Sequence, residues 1–149
     1  MKENAFAHFF EIVKAIRKGC PWDKEQTPLS LRSTFFEETC EAIDAISQED
    51  PAHVKEELGD VLLNVVLIAY LFEEKGLFTV DETINAITEK LIRRHPHVFE
   101  KKEMTLDQLN VQWDKIKKSE GKKEKLSHEE KFKKMQKLLD SLAPEYGVQ

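Results

Sequence analysis

Residues 54–72, VKEELGDVLLNVVLIAYLF, contain the longest apolar run of the chain, Val61 to Phe72, interrupted only by Asn64. A bilayer core needs about 20 apolar residues, so the run is too short to span one. It shows no period-two alternation and reads as a buried core helix. Pro51 suits the first turn of that helix, and Gly76 stands just beyond its expected end near Lys75. At about 100° per residue, Val54, Leu58, Val61, Val65, Ala69 and Phe72 form an apolar stripe. Glu57 and Asp60 flank the stripe on one side, with Asn64 one turn on, while Glu56 projects outward.

The segment before it repeats the pattern. A helix over about 29–46 contains FFEETCEAIDAI and gathers Leu31, Phe35, Thr39, Ala42, Ile43 and Ile46 on one side. Glu38 and Glu41 flank that stripe, while Glu37 and Asp44 turn toward solvent. Two i, i+3 acid pairs on the same flank of consecutive helices can converge if the helices pack. Gathering anionic carboxylates beside a core is costly unless a cation neutralises them. Oxygen-only donors suit a hard ion such as Mg²⁺, with Mn²⁺ as a substitute. The pattern points to a metal-dependent enzyme acting on phosphates.

The remaining segments are also helical. Residues 3–18 place Phe6, Phe9, Phe10, Val13 and Ile16 at helical spacing, and Gly19 stops the helix. GCPWDKEQTP reads as an ordered loop in which Trp22 needs a packing partner. A fourth helix starts at Thr79 or Asp81, runs through TINAITEKLIRR and stops at His95-Pro96. A fifth covers Leu106 to Lys118, and a weaker amphipathic stretch from Ser127 aligns Phe132, Met135, Leu138, Leu139 and Leu142. The expected fold is all-α, a bundle of about five helices formed by residues 1–119, with residues 120–149 as a charged linker, a short helix and a loose end.

With 149 residues the chain suits one domain with a real core. Between Lys115 and Lys137, ten Lys stand against four Glu, a net +6, so the formal −5 of the whole leaves −11 for the rest. That balance argues against a nucleic-acid binder, and no segment suggests a membrane protein. Cys20 and Cys40 form no metal-ligand spacing, nothing resembles a secretory signal, and a cytoplasmic protein with reduced thiols is expected. His95 and His97 lack a third ligand for a transition metal, and the E-x-x-H of di-iron bundles does not occur.

GCPWDKEQT, EETCEAIDAI, EELGDVLLNVV and EKLIRRHPHVF, followed by WDKIKKSE at 113–120, occur in an order and spacing that resembles MazG-type nucleoside triphosphate pyrophosphohydrolases. The resemblance runs from about Gly19 to Phe99. It implies an all-α fold that assembles as dimers or higher oligomers and cleaves the α–β phosphoanhydride of nucleoside triphosphates with Mg²⁺. Carried onto this chain, the metal ligands are Glu38, Glu41, Glu57 and Asp60. Lys90 and Arg94, with Arg93 adjacent, match cationic positions that contact phosphates; Trp113 and Lys117 match an aromatic–basic pair near the nucleotide. Trp22 and Asp23 are expected to shape the pocket. In the metal-assisted attack of water expected here, a carboxylate not fully used as a ligand, Glu41 or nearby Glu37, would orient the water. Many members carry two such repeats; this chain has one, similar to the first repeat. Thr34 stands where active relatives place a basic residue. The alternatives are a nucleotide-binding sensor without turnover and a protein-interaction module of the same fold.

Overall fold

The computed structural model describes residues 4–121 and 126–142. They form α1 (Ala5–Gly19), α2 (Pro21–Glu25), α3 (Leu31–Ser47), α4 (Pro51–Glu74), α5 (Val80–Arg94), α6 (Pro96–Phe99), α7 (Leu106–Ser119) and α8 (His128–Leu142). The fold is all-α, with no strand among the described residues. No described helix is long and apolar enough to cross a membrane. Much of the linker and all of the loose end expected within 120–149 fall at 122–125 and 143–149, outside the described residues.

Described residues up to 119 hold seven helices where about five were expected, for a local reason. Pro21 and Pro96 end the helices before them, yet each then occupies the first turn of a new short helix, α2 and α6. Proline is tolerated there because a first-turn N–H has no intrahelical partner to lose. The residues expected to form a loop at GCPWDKEQTP are therefore partly helical, and Trp22 is 55% exposed instead of packed. Three of the longer helices, α1, α4 and α7, start at recognisable caps. Asn4 accepts from the Phe6 and Ala7 amides, Asp50 from those of Ala52 and His53, and Thr105 with Gln108 forms a capping box.

The described residues divide into two compact units, one reaching Val80 and including Leu142, the other Asp81–Ser141. The first is built on α3 and α4, joined by the turn Gln48–Asp50 into an antiparallel hairpin. α1 packs against α2 and α4. Val13, Leu31, Val66, Leu67 and Leu71 form its core, with Phe6, Phe9, Phe10, Leu63 and Ile68 packed around them. Phe10 also meets Tyr70 edge-on at 5.6 Å. Arg17 ties α2 in place by donating to the Asp23 and Gln26 carbonyls and to Glu74. In the second unit α5 and α7 are joined by ion pairs from Arg93 and Arg94 to Glu120, and His95 meets Trp113 edge-on at 5.2 Å.

The stripes expected to be core are covered only in part: Leu31 and Ala42 on α3 and Ala69 on α4 are buried, but other members are not. Ile43 and Ile46 on α3 and Leu58 and Val65 on α4 are 58%, 54%, 50% and 40% exposed in the single chain. Besides Val66, Ala69 and Tyr70, the buried residues of α4 form a line Glu57, Asn64, Leu67 and Leu71, with Asp60 half-buried on it. On α3 it is Leu31, Ala42 and Ala45, with Glu38 half-buried. A helix that is apolar nearly all round has two faces able to pack, and periodicity alone does not choose between them.

Candidate metal centre

The hairpin register brings the acid pairs together. Glu41 stands seven residues before Gln48 and Glu57 seven after Asp50; Glu38 and Asp60 stand ten away on their respective sides. At about 1.5 Å per residue, the pairs lie about 10 and 15 Å from the turn on both helices. Ala42 and Ala45, 5% and 0% exposed, keep α3 slim between the acids and the turn. Such small side chains let the two backbones approach.

Glu38, Glu41 and Glu57 each offer a carboxylate oxygen, and the three oxygens lie within 4.8 Å of one another. Glu57 is 8% exposed. Its Oε1 lies 3.0 Å from His53 Nε2, and its Oε2 is buried without a hydrogen-bond partner. The Glu38 carboxyl is pushed above the usual carboxylate range, chiefly by burial and then by the charges of Asp60, Glu41, Glu57 and Glu37. Asp60 is outside the group of three, yet its charge acts on Glu38 more than that of any other acid. Its backbone carbonyl accepts from Asn64 Nδ2 at 3.0 Å. Glu37 and Glu56 are exposed.

These residues fit a hard divalent cation. Around an octahedral ion with bonds of about 2.1 Å, donor oxygens sit about 3 to 4.2 Å apart. Oxygens within 4.8 Å of one another need only a small contraction to reach that spacing. The raised Glu38 and the orphaned Glu57 oxygen are both strains that a cation relieves. An open cleft of about 500 Å³, lined by Cys40, Glu41, Asp44 and His53, leads to this edge of the hairpin.

The expected substrate-contacting residues other than Trp22 belong to the unit Asp81–Ser141. Lys90 is partly exposed. Arg93 and Arg94 both bind Glu120, and Arg94 is 7% exposed. Trp113 receives Arg94 Cζ at 5.4 Å and Lys117 Nζ at 5.6 Å from its ring centroid. Glu120 is held down to about 2, chiefly by the hydrogen bonds from Arg94 and Arg93. Sequence reasoning missed His53 and Glu120. His53 sits four residues before Glu57, a spacing that places both on one helix face. Glu120 had no such signal, being 26 residues from Arg94.

Residues 26–99 match the family model of the MazG nucleotide pyrophosphohydrolase domain. The uncharacterized protein YabN of Bacillus subtilis is 46% identical over 122 residues, covering 78% of this chain and 24% of that protein. The nucleoside triphosphate pyrophosphohydrolase/pyrophosphatase MazG of Thermotoga maritima is 43% identical over 131 residues, 85% of this chain and 50% of that one. The nucleoside triphosphate pyrophosphohydrolase of Escherichia coli K12 is 41% identical over 129 residues, 84% and 49% respectively. The chain thus spans half or less of these curated relatives. The crystal structure of a mazG-related protein from Thermotoga maritima superimposes with a TM-score of 0.68 at 25% identity, covering 75% of this chain and 98% of that one.

Proposed function

Since this chain belongs to the MazG family, we propose that it is a Mg²⁺-dependent pyrophosphohydrolase converting NTP or dNTP to the monophosphate and pyrophosphate. The observation that carries the reading is the meeting of Glu38, Glu41 and Glu57 beside a buried, unpartnered Glu57 oxygen. Glu38, Glu41, Glu57 and Asp60 would hold Mg²⁺, or Mn²⁺ in its place. The ion would supply charge neutralisation and acidify bound water.

The chain's own groups complete the reaction. Glu41, or the neighbouring Glu37, orients a water and takes its proton as the oxygen bonds to the α-phosphorus. The α–β bridging P–O bond breaks, and its electron pair leaves with pyrophosphate. Lys90, Arg93, Arg94 and Lys117 are assigned to the phosphates, where guanidinium forks bind oxyanions with paired hydrogen bonds. Trp113 is assigned to the base and Trp22 to the border of the pocket. Residues 1–119 form the functional domain, acting in the cytoplasm, and residues 120–149 an appendage to it whose first residue, Glu120, pairs with Arg93 and Arg94.

The exposed line Leu58, Leu62 and Val65, at 50%, 45% and 40%, supports a homo-oligomer. These residues share one face of α4, as Ile43 and Ile46 do on α3, and such patches mark association surfaces.

The test measures pyrophosphate and monophosphate released from each NTP and dNTP with Mg²⁺, for the wild type, Glu38→Gln and Asp60→Asn. Both products in equal amounts, reduced at least a hundredfold in each variant, are expected. Orthophosphate as first product, or fully active variants, would refute the reading. Nucleotide binding without product would make the chain a sensor.

A further inference from the structure

We propose that Glu120 is a positioning residue for the Arg94 guanidinium, an inference that rests on the nucleotide reading above. Arg94 Nη2 donates to Glu120 Oε2 at 2.6 Å, and Nε reaches Oε1 at 3.4 Å. Arg93 Nε donates to the same Oε1 at 2.8 Å. The Glu120 side chain is only 13% exposed and that of Arg94 7%, so this pair lies largely out of water, while Arg93, 53% exposed, meets the same carboxylate from the solvent side. Trp113 supports the opposite side, with the Arg94 Cζ 5.4 Å from its ring centroid. The indole is itself fixed by the edge of His95 at 5.2 Å.

Arg94 is thus held along one edge by a carboxylate and across its face by an aromatic ring. A guanidinium has five N–H donors, and Glu120 engages the Nε side, leaving the others for a ligand. Arg94 also lines a cavity of about 220 Å³ together with His95, His97, Asn110 and Trp113. Two guanidinium charges face one carboxylate, so Glu120 does not neutralise the pair. A covered charge pair is costly to break, so Glu120 orients Arg94 and is not a phosphate stand-in awaiting displacement. Without it, the ordering of a long flexible side chain falls on the binding step, which weakens nucleotide binding more than turnover.

The experiment uses the full chain and its Glu120→Gln and Glu120→Asp variants. It measures kcat and KM for pyrophosphate release, the affinity for Mn²⁺ alone, and the Arg94 side-chain nitrogen signals by NMR. For Glu120→Gln, KM rises about tenfold while kcat changes less than about threefold. Glu120→Asp recovers most of the lost KM, and Mn²⁺ affinity is unchanged in both. The Arg94 Nη signals, distinct in the wild type, average together in Glu120→Gln. A KM that stays the same overturns the proposal, and one that falls shows a carboxylate competing with phosphate. Loss of Mn²⁺ binding alongside kcat and KM reduces Glu120 to a structural pin. Should the wild type release no pyrophosphate, the function reading fails and the NMR arm still decides: unchanged Arg94 signals in Glu120→Gln refute positioning.

Discussion

Glu57→Gln removes one charge from the carboxylate group while keeping its shape, and its two consequences have opposite signs. In the metal-free chain the Glu57 oxygen lies within 4.8 Å of those of Glu38 and Glu41. At that separation a like-charge pair costs about 3.5 kcal/mol at an effective dielectric near 20, and about 0.9 kcal/mol in water. Glu41 is exposed and Glu38 only half-covered, so the gross relief lies toward the aqueous end, about 1–2 kcal/mol; the weakened contact with His53 Nε2 at 3.0 Å offsets about 0.5 kcal/mol of it. The metal-free variant should melt above the wild type by roughly 2–5 °C. Divalent cation reverses the order. An ion present at about 100 times its Kd stabilises the wild type by about 2.7 kcal/mol, and most of that is lost when one anionic donor becomes an amide. Thermal unfolding followed by helix circular dichroism, once with EDTA and once with excess MgCl2, reads both effects. A metal-free variant no more stable than wild type, with equal Mg²⁺ stabilisation in both, would refute the reasoning.

Other perturbations test separate parts of the molecule. Leu31 is 1% exposed, so Leu31→Ala should destabilise the first unit by about 2–5 kcal/mol, read as a lower urea midpoint with unchanged slope. Leu58→Glu combined with Leu62→Glu should leave the helix content intact and yield a smaller species in sedimentation equilibrium; an unchanged mass would remove these residues from the interface. Glu120 has its pKa lowered from 4.5 to about 2, so its contribution to stability is complete above the unfolded value and is lost as pH falls through that window. The stability gap between wild type and Glu120→Gln should be constant near neutrality and close between about pH 4.5 and 2. A gap that persists at the acid end would contradict the sign.

The helical pattern was legible residue by residue. Pro51 was expected in a first turn and Leu106 at a helix start, and α4 and α7 begin at those residues. The acids of α3 and α4 were legible as a group because their spacing puts each pair on one side of its helix. Three of them, Glu38, Glu41 and Glu57, come together in the structure, while Asp60 lies just outside that group and acts through its charge. The short helices α2 and α6 were not legible, since each proline reads first as a terminator. Trp22 was expected to be covered and is exposed, because a single-turn helix offers no groove to receive it.

By itself the sequence determined that the fold is all-α, roughly where the long helices lie, and which acids share a side. Those properties follow from local dihedral preference, capping and the 3.6-residue period. Only the tertiary structure decided that the acid-bearing face of α4 turns inward, leaving Leu58, Leu62 and Val65 outside. It also gave Glu57 its histidine partner and Arg94 its distant carboxylate. Periodicity fixes an angle around a helix axis. What covers that angle depends on how close two helices come and on residues far along the chain, and neither is written in any local window.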